Sequence, residues 1–179
     1  MISKKEKELS MHIALIPDGN RRWAKKKGFF PWVGHESGVK TLQNLLEKAL
    51  ELKLKYFTFW GASFDNLTKR PKMEIKILYK IFHYQFKKAL KNKKIHENKV
   101  RVTFQGRWRE VFPKKTQKVM EELMERTKNY KKHHLTFLLA YNGTDEMLSC
   151  IKEISKKGIK NVTGDTIKKT SLDKRFASS

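Results

Sequence analysis

Cysteine is almost absent from this chain. The single Cys150 excludes an intramolecular disulfide and fits a reducing cytoplasm. Long apolar runs are missing too. The longest, such as Phe137 to Tyr141, are far too short to span a bilayer. Met1 to Ser10 is rich in lysine and glutamate and lacks the apolar centre of a signal peptide. Arginine is scarce, at eight of the 41 basic residues. Base-specific readout of nucleic acid favours arginine forks, whereas diffuse lysine charge suits phosphate groups or an anionic lipid surface. A general richness in lysine explains the formal charge of +23 equally well. There is no Walker loop, no G-x-S-x-G, no H-E-x-x-H, no internal repeat and no heptad pattern. The expectation is a soluble cytoplasmic protein, compatible with peripheral contact to a membrane.

What is present is enough for one folded domain. The chain has 179 residues, 39% of them hydrophobic and 11% aromatic. Ile13 to Ile16 reads as a buried strand that runs into a turn, Pro17-Asp18-Gly19-Asn20. Arg21 to Lys27 follows as a charged helix ending near Gly28. Val39, Leu42, Leu45, Leu46, Ala49 and Leu50 recur at helical spacing. Tyr56 to Trp60 is an aromatic strand closed by Gly61. After Pro71, Ile75, Leu78, Phe82, Phe86 and Ala89 form a stripe widened by Ile77, Ile81 and Tyr84. So wide a face implies deep burial or one wall of an apolar cavity.

Val100, Val102 and Phe104 alternate with polar residues, which places that strand near a sheet edge. Pro113 starts another helix. Leu135 to Ala140 is a buried strand, and His133-His134 before it reads as a solvated helix end. Asn142-Gly143 is a turn, and Thr144 is expected to cap a helix bearing Met147, Leu148, Ile151 and Ile154. Alternating strands and helices predict a single-domain α/β fold, with a largely parallel sheet flanked by helices. Ligands in such sheets sit beyond the carboxyl ends of the strands. Three turns qualify: 17–22, 61–70 and 141–144.

The first turn is the richest in chemistry. A lone carboxylate, Asp18, can hold Mg²⁺, whose open positions accept phosphate oxygens. Gly19 allows close backbone approach. The helix start offers amide donors, and Arg21 and Arg22 can grip a diphosphate. An ordinary Asp-Gly turn with solvated arginines has the same composition. The second turn carries Ser63, Asp65, Asn66 and Arg70, which suit substrate positioning and proton transfer or the capping of the next helix. His35 follows Gly34, and no second histidine stands at metal-ligand spacing.

Residues 12–25, HIALIPDGNRRWAK, are similar to the cis-prenyltransferase signature H-[VI]-A-[IL]-I-M-D-G-N-x-R-W-A-K. Gly34-His35-x-x-Gly38 resembles that family's G-H-x-x-G. Ser63-x-Asp65-Asn66 and Arg70-Pro71-x-x-Glu74 resemble its S-x-E-N-W-x-R-P-x-x-E, and Ala140-Tyr141-Asn142-Gly143 its A-x-Y-G-G. The chain has no Asp-Asp pair and so lacks the D-D-x-x-D motif of trans-type prenyltransferases.

The resemblance, to the undecaprenyl diphosphate synthase kind of cis-prenyltransferase, covers about residues 12 to 155. It implies that isopentenyl diphosphate is condensed onto an allylic prenyl diphosphate, farnesyl or geranylgeranyl, to give a polyprenyl diphosphate. Asp18 would hold Mg²⁺ on the allylic diphosphate, bound by Gly19, Asn20, Arg21 and Arg22. Asn66 would serve the proton-accepting step, with Ser63, Phe64 and Asp65 beside it. His35 would assist at the phosphate, Trp23 and Arg70 would complete substrate binding, and the product chain would lie in an apolar tunnel walled by residues 75–90. A homodimer or heterodimer is also implied.

The chain departs from the family in several places. Pro31 stands where an arginine is common, Asp65 replaces a glutamate and Leu67 an aromatic. An extra residue precedes Arg70, which gives Lys69 a claim to the family arginine's role. Thr144-Asp145 replaces a G-R type continuation. The R-x-S-G-E-x-R-x-S element and a later metal-sharing glutamate are not found before Ser179. The expected organisation is a polar extension over 1–11, an incomplete catalytic domain over 12–155 and a polar tail over 156–179, which fits a shortened copy, a chain whose partner supplies the rest, or a fold kept for binding only. The competing class is a nucleic-acid-binding protein using the basic run Arg21 to Lys27. It is disfavoured because the lysines are spread along the whole chain.

Overall fold

The computed structural model describes residues 12–158 together with 160, 162, 163 and 166. The polar extension and most of the polar tail, including Asp173 to Arg175, lie outside the described residues. Among the described residues four strands and eight helices are delimited. They are β1 (His12–Leu15), α1 (Asn20–Lys26), α2 (Pro31–Glu51), β2 (Tyr56–Ser63), α3 (Phe64–Thr68), α4 (Lys72–Leu90), α5 (Lys93–Glu97), β3 (Val100–Gln105), α6 (Trp108–Val111), α7 (Lys114–Thr127), β4 (His133–Tyr141) and α8 (Gly143–Lys156). Residues up to Ala140 form one compact unit and those from Tyr141 a second. No described helix is long and apolar enough to cross a membrane.

The strands lie in the order β1-β2-β4-β3. β1 runs parallel to β2, pairing His12 with Tyr56 and Leu15 with Phe59, and β3 runs parallel to β4. Burial follows position in the sheet. The central strands are the more buried, β4 over most of its length and β2 over half, which explains their near-continuous apolar sequence. β3 alternates buried and half-buried residues, as an edge strand should.

The expectation of a buried strand at Ile13 to Ile16 is corrected. Among the described residues β1 is the other edge, and Ile13 and Ile16 are 39% and 63% exposed. Two other expectations change. β2 does not close at Gly61 but continues to Ser63. A Cβ on Gly61 would stand 2.7 Å from Leu139 Cδ2, so glycine there lets β2 and β4 side chains pack closely. His133 is no solvated helix end: it opens β4, is buried, and its Nδ1 lies 2.6 Å from the Leu54 carbonyl.

Aromatic packing holds the core. The Phe86 ring meets Phe104 at 4.7 Å and Phe137 at 5.5 Å between centroids, both edge-on, the geometry that ring quadrupoles favour. Burying one such side chain contributes about 1.5–3 kcal/mol. Trp108, Met120, Leu123 and Leu139 are fully enclosed.

The wide stripe of α4 serves both purposes expected of it except at Tyr84, which is 64% exposed. Leu78 and Phe86 are in the core, and they join Ile81, Phe82 and Ala89 in walling an apolar cavity of about 480 Å³. Val39, Leu42, Leu46 and Leu50 of α2 form the facing wall. A hydrogen bond of 3.0 Å from Gln43 to Gln85 ties the two helices together.

In the second unit, α8 is capped by Asn142, whose Oδ1 accepts from the Thr144 amide at 3.1 Å. The cap is thus Asn142 and not Thr144. Cys150 and Ile154 are buried, whereas Met147, Leu148 and Ile151 of the expected apolar stripe are exposed.

Candidate active site

β1 ends at Leu15, and the chain turns through Ile16 to Gly19 before α1 begins. Gly19 has φ +90°, a left-handed conformation that only glycine adopts without strain. The turn presents Asp18 to solvent. Its Oδ1 accepts from the Gly19 amide at 2.6 Å and its Oδ2 from Arg22 Nη2 at 2.9 Å. The bond from Arg22, then that from the Gly19 amide, holds the carboxyl below its ordinary range. Asp18 is therefore a carboxylate throughout the neutral range.

The start of α1 is clamped by α2. A Cβ on Gly34 would lie 2.1 Å from the Asn20 carbonyl oxygen, and one on Gly38 2.6 Å from Asn20 Nδ2. Both glycines of the G-H-x-x-G motif are thus places where α2 touches Asn20 directly. Between them, His35 points at Glu74, an acid on α4 that is only 3% exposed.

Three cationic or polar donors converge on Glu74 Oε1: Arg70 Nη1 at 3.1 Å, His35 Nε2 at 3.0 Å and Arg21 Nε at 3.6 Å. A carboxylate acceptor at that distance places the His35 proton on Nε2. Burial lowers the His35 pKa, opposed by the bond to Glu74. The other arm of the Arg70 fork, Nη2, donates to Asn66 Oδ1 at 2.8 Å. One buried carboxylate therefore fixes side chains from α1, α2 and the loop before α4. Glu74 closes the Arg70-Pro71-x-x-Glu74 motif, yet nothing in the sequence marks it as part of the site. A lone glutamate one turn after Pro71 carries no local sign that it is buried.

These groups line a cavity of about 550 Å³. Arg21, Arg22, Lys25 and Arg70 face it against a single carboxylate, Asp18. Gly19, Asn20, His35 and Asn66 complete the polar wall. Pro17, Asn20, His35, Gly61 and Leu78 belong also to the lining of the apolar cavity. A cationic chamber and an apolar one thus adjoin at these five residues. Such a pair suits an amphiphile with an anionic head and a hydrocarbon tail.

Four expected residues lie elsewhere. Trp23 is 41% exposed and tilts against Phe29 with ring centroids 6.4 Å apart. Ser63 Oγ accepts from the Asn66 amide at 3.1 Å and caps α3. Phe64 lies under the Arg107 guanidinium at 3.9 Å. Asp65 pairs with Lys69 at 2.9 Å, and both are exposed. Lys69 thus faces solvent, whereas Arg70 lines the cavity.

Among the described residues, no three His, Cys, Asp or Glu side chains cluster as a metal site. Asp18 nevertheless fits Mg²⁺, which retains waters and takes one or two carboxylates alongside substrate phosphates.

The undecaprenyl diphosphate synthase family model matches residues 16–179. The tritrans,polycis-undecaprenyl-diphosphate synthase (geranylgeranyl-diphosphate specific) of Pyrobaculum aerophilum is 37% identical over 190 residues, covering 95% of this chain and 79% of that protein. The enzyme of the same name from Pyrococcus horikoshii is 38% identical over 148 residues. That match covers 83% of this chain but only 55% of the relative. Among solved structures, lavandulyl diphosphate synthase from Lavandula x intermedia, in complex with dimethylallyl diphosphate, superposes with a TM-score of 0.80 at 24% identity. The superposition covers 90% of this chain and 70% of that one.

Proposed function

The chain belongs to the undecaprenyl diphosphate synthase family, and we propose that it carries the catalytic site for cis-prenyl transfer from an allylic prenyl diphosphate to isopentenyl diphosphate. The observation that supports this most directly is the junction of the two cavities. An anionic head held by Arg21, Arg22 and Arg70 would leave its hydrocarbon tail facing Leu78, Ile81, Phe82 and Phe86. The names of the two archaeal relatives specify geranylgeranyl diphosphate, which favours that primer over farnesyl diphosphate.

In this reading the π electrons of isopentenyl diphosphate attack the first allylic carbon. The carbon–oxygen bond to diphosphate breaks, and a proton passes from the condensed chain to the departing diphosphate to give the new double bond. Arg21, Arg22 and the Gly19 turn would hold the departing diphosphate and offset its growing charge. Mg²⁺, when bound at Asp18, would supply further charge neutralisation to that leaving group. Asn66, held by Arg70, would be the polar group at the site of proton loss. His35, neutral and donating to Glu74, would keep Arg21 and Arg70 in position. Ser63 acts through α3 by holding the amide of Asn66.

The test is incorporation of labelled isopentenyl diphosphate into butanol-extractable product, with geranylgeranyl or farnesyl diphosphate and Mg²⁺. The native chain should form product and Asp18→Ala should not. Equal product from both would overturn the role of Asp18. Absence of product from folded protein that also fails to bind inorganic pyrophosphate would overturn the site assignment.

A further inference from the structure

The segment that follows the Asp18 turn carries, beyond the residues that line the cavity, an outward-facing basic and aromatic surface. Between residues 19 and 35 there are five Lys and Arg, four aromatic rings and no acid. Lys25, Lys26 and Lys27 are all exposed, and none has a carboxylate within ion-pair distance among the described residues. Next to them, Phe29 is 50% and Phe30 65% exposed. Phe30 stacks on Trp32 with centroids 4.5 Å apart and planes 7° from parallel. Trp23 leans on Phe29 from the other side.

We propose that this lysine–aromatic surface, formed by the end of α1 and the loop to α2, docks the protein on an anionic lipid bilayer. Exposed phenylalanines gain nothing from contact with a phosphate backbone in water, but they bury apolar area at the headgroup boundary. Tryptophan beside lysine is the pairing that membrane interfaces favour, and lysine stems reach past the apolar level to keep their charge at the headgroups. The missing acids remove the repulsion that an anionic surface would otherwise exert. Lys25 and Phe29 also line the cationic cavity, so its rim would lie at the lipid. That position suits the proposed reaction, whose product is lipid, but the docking argument stands on the surface alone.

The experiment is flotation of the full chain with vesicles, without substrates. One set is pure phosphatidylcholine, and the other is equal parts phosphatidylcholine and phosphatidylglycerol. Binding is expected only to the anionic set, weakening as salt rises. Lys26→Glu with Lys27→Glu should weaken it at least tenfold, since each basic residue near such a surface contributes about fivefold. Phe30→Ser should weaken it further. None of these three residues lines either cavity. Lys76→Glu with Lys80→Glu, an equal charge change on the exposed side of α4, should leave binding intact. Equal loss in both charge variants would overturn the proposal in favour of net charge alone. No vesicle binding would overturn it too, and capture of single-stranded DNA instead would transfer the surface to a nucleic acid. Because no substrate is present, failure here is separate from failure of the transfer assay.

Discussion

Replacing Gly34 by alanine tests whether the anion-binding turn is positioned from behind by α2. The new Cβ would lie 2.1 Å from the Asn20 carbonyl oxygen, 2.8 Å from its carbonyl carbon and 3.2 Å from Ala24 Cβ. Ordinary carbon–oxygen contacts begin at about 3.3 Å. The two helices must therefore separate by about 1 Å, and neither partner is a flexible side chain. Forcing extra volume into such a contact costs about 1–3 kcal/mol. For a chain of this size that lowers the melting temperature by roughly 2–12 °C.

The displacement falls on Asn20, the residue after the Gly19 turn. A misplacement of about 1 Å in reacting groups can reduce turnover by roughly 10²-fold. Gly28→Ala is the matched control. Gly28 has φ +72°, but nothing lies within 4 Å of its Cβ position. Only backbone strain of about 1–2 kcal/mol should result, with pyrophosphate affinity and turnover unchanged. Calorimetric titration with pyrophosphate and thermal unfolding read both effects. An unchanged melting temperature and affinity in Gly34→Ala would refute the reasoning.

Other consequences follow from the same geometry. Glu74→Gln keeps the shape but removes the buried charge that Arg70 and His35 share, and should lose about 2 kcal/mol in urea unfolding. A loss below about 0.5 kcal/mol would show that the three donors have other support. His35 has a folded pKa lowered from 6.5. As pH falls through about 6.5, the unfolded state takes up its proton before the folded one does. Stability should therefore decline on acidification until the folded pKa is passed. His35→Gln should flatten that decline in part, since His12, His83 and His134 shift the same way. Leu46→Trp fills part of the apolar cavity and should shorten the prenyl product, read by chromatography of dephosphorylated material. Products of native length would remove α2 from the tunnel wall.

Much of the fold is legible in the residues. Helical spacing located α2 and α4, Pro113 marked the start of α7, alternation placed β3 at an edge, and the apolar run marked β4 as interior. The short helices α3, α5 and α6 were not seen, because four or five residues are too few to show a period. Asp18 to Arg22 stood out because a glycine, an acid and two arginines follow a strand directly. Ser63, Phe64 and Asp65 were assigned to the site by resemblance, yet in the fold they cap α3, support Arg107 and pair with Lys69.

The sequence by itself determined the elements and the chemistry of the first turn, since both depend on neighbours a few residues away. Tertiary structure alone decided that β1, among the described residues, lies at an edge of the sheet. β1 is as apolar as β4, but its exposure depends on the strand order of the sheet. It also decided that Glu74 is buried among His35, Arg70 and Arg21, and that Arg70 rather than Lys69 enters the cavity. Burial and charge compensation are set by partners as far as 53 positions along the chain, as Glu74 and Arg21 are, and no local pattern encodes that distance.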